Sequence, residues 1–175
     1  MIFKLSLILL YFRFSELAND FGNLAQRMLT FIAKNCEGEI PTPGIFTPDD
    51  TALLAAAVDA LHQSRDLVEQ QNIKGMTAVI INVAKLGNKY IDTQAPWTLR
   101  KTDEARMRTV MYVLSEIIRI TAVLLSPVMS TSCNKMLDQI GKPSNFKIIR
   151  KKNCIFIFFF FFLLHFFISF LLCFF

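Results

Sequence analysis

Histidine is almost missing from this 175-residue chain: His62 and His165 are the only two, and the second lies inside a run of phenylalanines. That scarcity argues against a catalytic centre that needs an imidazole as base or as metal ligand. The four cysteines, Cys36, Cys133, Cys154 and Cys173, form no C-x-x-C and no Cys/His pair at ligand spacing, so no structural zinc site is expected. Their scatter does not make a disulfide framework either, and a reduced cytosolic setting fits them better. A glycine-rich phosphate loop is lacking, an internal repeat is lacking, and no alternating β period lasts. Acidic residues are missing from both ends. All 14 lie between Ser15 and Asn145, where 13 Lys and Arg leave a local charge of −1. Lys4, Arg13, Lys147, Arg150, Lys151 and Lys152 supply the rest of the +5. The pI near 9.1 therefore belongs to the flanks, and basicity is no argument for nucleic-acid binding by the middle.

What is present divides the chain into three. Residues 1–14 form a leader with one short apolar run but no small-residue cleavage site after it. Residues 15–145 carry a helical apolar period almost throughout. The first helix shows Leu17, Phe21, Leu24, Met28, Phe31 and Ile32 on one side and stops near Gly38. Pro41, Pro43 and Gly44 make Glu39 to Phe46 a connector. Thr47-Pro48-Asp49-Asp50 is a strong helix start, with a capping hydroxyl, a proline at the first position and two carboxylates at the positive end of the dipole. That second helix is expected to bury Leu54, Ala57, Val58, Leu61 and Val68. A third, from about Ile73 to Asp92, shows Met76, Val79, Ile80, Val83, Leu86 and Tyr90, and Pro96 interrupts it. Thr102-Asp103-Glu104 opens a fourth, with Met107, Val110, Met111, Leu114, Ile117, Ile118, Thr121 and Leu125 in its stripe. Pro127 ends it, and a short fifth helix reaches Gly141. The expectation is an all-α bundle of about five helices and no sheet, long enough to bury one modest core as a monomer.

Residues 146–175 are different again. Hydrophobic residues make up 53% of the chain at a mean hydropathy of +0.42, yet eleven of its 18 phenylalanines fall in the last 21 residues. Ile155 to Phe175 is long enough to span a hydrocarbon core at about 1.5 Å per residue. Lys147 to Lys152 before it would keep the bundle on the cytosolic side. Two readings of this Phe-rich tail stand side by side: a membrane anchor, and translated T-rich noncoding sequence, which would also account for the leader.

Three stretches carry a resemblance. Ser15-Glu16-Leu17-Ala18-Asn19-Asp20-Phe21-Gly22-Asn23-Leu24-Ala25-Gln26-Arg27, Asn88-Lys89-Tyr90-Ile91-Asp92-Thr93-Gln94-Ala95-Pro96-Trp97-Thr98-Leu99 and Leu124-Leu125-Ser126-Pro127-Val128-Met129 resemble, in order and spacing, the anticodon-binding domain of methionyl-tRNA synthetases. The resemblance covers about Ser15 to Gly141. It implies a class I synthetase helical bundle in the cytoplasm with tRNA as partner. Anticodon contacts would come from the residues matching Asn23, Arg27 and Trp97. The family's catalytic domain binds ATP through HIGH-like and KMSKS-like motifs, and neither is in this sequence, so no cofactor, metal or catalytic residue is expected in the segment.

Residue chemistry agrees with those roles. Asn23 and Arg27, four apart, share a helix face. The amide matches a base's Watson–Crick edge, and the guanidinium forks onto a base or phosphate. Trp97, the sole tryptophan, follows Pro96 at a helix break, where a ring can project and stack on an unpaired base. Lys89, Arg100, Lys101 and Arg106 lie near it in sequence and could meet phosphates. The structural alternatives are a core tryptophan, an Asn23 that buttresses the connection and solvated cations. A tail-anchored helical adaptor with no RNA role is the competing function, and a free-standing tRNA-binding factor a third.

Overall fold

A π-helical turn, Leu17–Gly22, runs directly into α1 (Asn23–Asn35). α2 (Pro48–Glu69), α3 (Ile73–Gln94), a short α4 (Pro96–Thr102), α5 (Glu104–Leu125) and α6 (Ser130–Ile140) follow in this computed structural model, which describes residues 17–141. The architecture is all-α. The five expected helices are present, and the seven-residue α4 is added where a bare interruption was expected. Among the described residues no helix is long and apolar enough to cross a membrane. The leader and the Phe-rich tail lie outside those residues.

Local chemistry explains the helix boundaries. Thr47 makes a capping box with Asp50: the Asp50 carboxylate accepts from the Thr47 N–H at 2.9 Å. Asn72 caps α3 through the Gly75 N–H at 2.8 Å, and Asp103 caps α5 through the Arg106 N–H at 2.9 Å. α1 ends as Gly38 (φ 76°) takes up a left-handed conformation, its N–H donating to the Ile32 carbonyl at 3.3 Å.

α5 is the centre of the bundle. Its expected stripe, Met107 to Leu125, is buried in full, because long aliphatic side chains at helical period have one way to leave water. α2 and α3 form an antiparallel pair against it, with α1 and α6 on its remaining sides. α1 and α3 run in the same direction, since the contacts Asp20–Lys85, Asn23–Asn88 and Arg27–Asp92 advance together along both. Gly87 lets them approach closely: a Cβ there would stand 2.6 Å from Leu24 Cδ2.

The face of α2 departs from expectation. Val58 and Val68 are about half exposed, and the buried stripe is Asp50, Leu53, Ala57, Ala60 and Ser64. The cause is Asp50, which points inward with no exposure at all. Once that side chain faces the core, residues three, seven, ten and fourteen further on must follow it at about 100° per residue. Leu86 on α3 likewise stays partly exposed, while Gly87 and Ile91 are buried.

Candidate nucleic-acid interface

Trp97 is 48% exposed at the start of α4, directly after the buried Pro96. The proline fits the first helical position, where a missing N–H costs nothing. It is entered through Ala95, in the left-handed region at φ 43°. The indole therefore projects from a corner anchored on both sides. The Arg27 guanidinium lies over it, 5.9 Å from the ring centroid, within cation–π range. Phe31, one turn beyond Arg27 on α1, joins Trp97, Thr98, Arg100 and Lys101 around an open depression of about 410 Å³.

The structure places the residues singled out in the sequence in different surroundings. Trp97, Arg100 and Lys101 line the depression, and Arg27 joins them through its contact with the Trp97 ring. Asn23 lies one turn earlier on the same face of α1, exposed, its Nδ2 at 3.5 Å from Asn88 Oδ1. Lys89 is exposed on α3 and does not line the depression. Arg106 takes a different role from a phosphate contact: it is mostly buried, donating to Asp50 Oδ2 at 2.6 Å, Asp50 Oδ1 at 2.8 Å and Gln94 Oε1 at 2.8 Å. Its guanidinium is spent inside the bundle.

Electrostatics separate an exchangeable pair from a fixed one. Arg27 Nη2 meets Asp92 Oδ1 at 2.5 Å, with Asp92 largely in solvent. An exposed pair of this kind contributes about 0.2–1 kcal/mol, so Arg27 can leave Asp92 for a ligand at little cost. The Asp50–Arg106 pair is buried on the Asp50 side. Burial alone would push the Asp50 carboxyl up, but hydrogen bonds from Arg106, then Tyr90 and Thr47, outweigh it and hold it well below the usual carboxylate range. Burial and the neighbouring Asp50 carboxylate push the Tyr90 phenol well above its ordinary value. Burial also raises the thiols of Cys36 and Cys133, which makes neither a reactive thiolate.

Sequence reasoning gave no site role to Phe31, Asn35, Asn88 or Asp92. Asn88 Nδ2 donates to the Asp20 carbonyl at 2.8 Å, fastening the π turn ahead of Asn23. Asn35 Oδ1 accepts from Arg100 at 2.5 Å, linking α4 to α1. A signal was available in hindsight: Asn88 and Asp92 repeat the four-residue spacing of Asn23 and Arg27, as two parallel helices in contact require.

A model of the family described as the anticodon binding domain of methionyl tRNA ligase matches residues 40–152. The chain belongs to this family. Among curated methionine–tRNA ligases, that of Brucella melitensis is 44% identical over 131 residues, covering 75% of the chain and 25% of the relative. That of Mycobacterium tuberculosis is 43% identical over 135 residues, covering 75% and 26%. The structure of Mycobacterium tuberculosis methionyl-tRNA synthetase in complex with methionyl-adenylate superposes with a TM-score of 0.70 at 42% identity, over 74% of this chain and 26% of that one. Its free-state crystal structure gives 0.71 at 41%, over 77% and 28%. The anticodon-binding family match includes Lys89, Trp97, Arg100 and Lys101, whereas Asn23 and Arg27 precede it. The chain spans about a quarter of the length of these curated relatives.

Proposed function

We propose that the chain reads the anticodon of methionine tRNA as the RNA-binding segment of a methionine–tRNA ligase, in the cytoplasm and as a single copy. One observation carries this reading: a half-exposed tryptophan, fixed after a buried proline, with a guanidinium over its face and further cations at its rim. A ring held this way offers a stacking surface to a base that has left the anticodon loop. Arg100 and Lys101, at the same depression, supply cations suited to the phosphates of that loop. Asn23 and Arg27 present edge-reading groups one turn apart on α1. The family match and the domain's share of its relatives support the assignment to tRNA rather than to another RNA. ATP and methionine chemistry belongs to a part of such ligases that this chain does not span.

The test is binding of a methionine anticodon stem–loop by the 175-residue chain. Trp97→Ala should weaken it by about 1–3 kcal/mol, roughly 5- to 150-fold, with little change in melting temperature. If Trp97→Ala unfolds the bundle and the unaltered chain shows no anticodon preference, Trp97 is a core residue and the reading fails.

A further inference from the structure

Trp97 rides on a seven-residue helix slung between α3 and α5, and the two ends of that excursion meet at one residue. Arg106, in the first turn of α5, donates from its backbone N–H to Asp103 Oδ1 at 2.9 Å, after α4 has ended. Its Nη2 donates to Gln94 Oε1 at 2.8 Å, just before α4 begins. The guanidinium thus closes the base of the loop that carries the indole. Arg106 is itself immobilised by Asp50, whose carboxylate also accepts from Tyr90 Oη at 2.7 Å and from the Thr47 N–H at 2.9 Å. Gln94 Nε2 reaches Asp49 Oδ2 at 3.3 Å, tying the same point to the start of α2. Between this clamp and Trp97 lie only Ala95 and Pro96. Ala95 holds a left-handed conformation that a side chain tolerates only where the surroundings over-determine it.

We propose that Gln94, held by Arg106 and through it by Asp50, is a positioning residue for the Trp97 ring. The clamp fixes the angle at which α4 leaves α3, and with it the direction of the stacking face, before any RNA arrives. A preformed platform loses less conformational freedom on binding than one ordered by its ligand. The inference rests on the stacking role of Trp97 given above, and its test separates the two.

Trp97 is the sole tryptophan, so the emission, anisotropy and acrylamide quenching of the full chain report on this platform alone. Gln94→Leu keeps the side chain's bulk and removes the acceptor. It should red-shift the emission, lower the anisotropy and increase quenching while the melting temperature stays near that of the unaltered chain. Gln94→Glu, which restores an acceptor for Arg106, should return all three signals. Anticodon stem–loop affinity should fall about fivefold or more in Gln94→Leu, bounded by the loss seen for Trp97→Ala. The double variant should bind no worse than Trp97→Ala, since Gln94 acts through the ring. Unaltered emission, anisotropy and quenching in Gln94→Leu, or an additive loss in the double variant, would overturn the proposal and leave the stacking role intact. If instead Trp97→Ala binds the stem–loop normally, the stacking role falls, and the fluorescence of the Gln94 variants still decides whether the clamp orients the ring.

Discussion

The guanidinium of Arg27 and the indole of Trp97 face each other at 5.9 Å although 70 positions separate them in the chain. α1 delivers the cation and the α3–α4 corner delivers the ring. The pair lies in partial contact with solvent, where a stacked base would extend the ring–cation arrangement rather than disrupt it. Asp92 competes for the same guanidinium from the exposed side of α3. Together these contacts make Arg27 a side chain with an ordered resting place and a low cost of leaving it.

Asn23→Ala and Arg27→Ala should lower discrimination between a methionine stem–loop and one with a changed anticodon base, by about tenfold each. Edge contacts carry sequence information, whereas contacts to phosphate, the role proposed for Lys101, do not. Lys101→Ala should weaken all stem–loops alike and flatten the salt dependence. Titrations with paired stem–loops at two salt concentrations distinguish the classes.

Asp50→Ala should destabilise the bundle by about 3–5 kcal/mol, because it strands a mostly buried guanidinium. The pH dependence has a fixed sign. Asp50 is held below its unfolded-state range when folded, so its contribution is fully present above about pH 5 and is lost as acid protonates the carboxylate of the folded chain. Urea unfolding from pH 7 to pH 2, with Asp50→Asn as reference, should show a smaller acid loss in the variant.

Gly87→Ala should cost about 1–3 kcal/mol through overpacking, since the new methyl would stand 2.6 Å from Leu24 Cδ2. The two sites should couple: Leu24→Ala should cost less in the Gly87→Ala background than alone. Chemical denaturation of the four chains closes that cycle.

The 175-residue chain should show no methionine-dependent ATP–pyrophosphate exchange. No residues in it match the HIGH-like or KMSKS-like motifs with which the family holds ATP, and a Gly-rich phosphate loop is lacking too. A methionine-dependent signal from purified protein would show a nucleotide site that sequence inspection does not.

The buried stripe of α5 was legible residue by residue from Met107 to Leu125, and so was the start of α2 at Thr47-Pro48-Asp49-Asp50. Both depend on nearest neighbours along the chain: aliphatic side chains at helical period, and a hydroxyl, a proline and carboxylates at the positive end of a dipole. Which way α2 faces is a different matter. A carboxylate in a first turn is stabilised by the dipole whether it meets water or the core, and Leu53 and Leu54 are equally apolar. Asp50 turns inward because Arg106 and Tyr90, 56 and 40 positions away, offer it hydrogen bonds that offset its desolvation. That rotation leaves Val58 half exposed and engages Arg106 inside the bundle. The candidate site divides in the same way. The residue types of Asn23, Arg27 and Trp97 pointed to the base-reading chemistry proposed here, but the meeting of Arg27 with Trp97 needed two parallel helices, a left-handed Ala95 and a short α4 that no local period encodes. Periodicity and capping are properties of a few consecutive residues, whereas the direction of one ring is the balance of contacts made across the whole bundle.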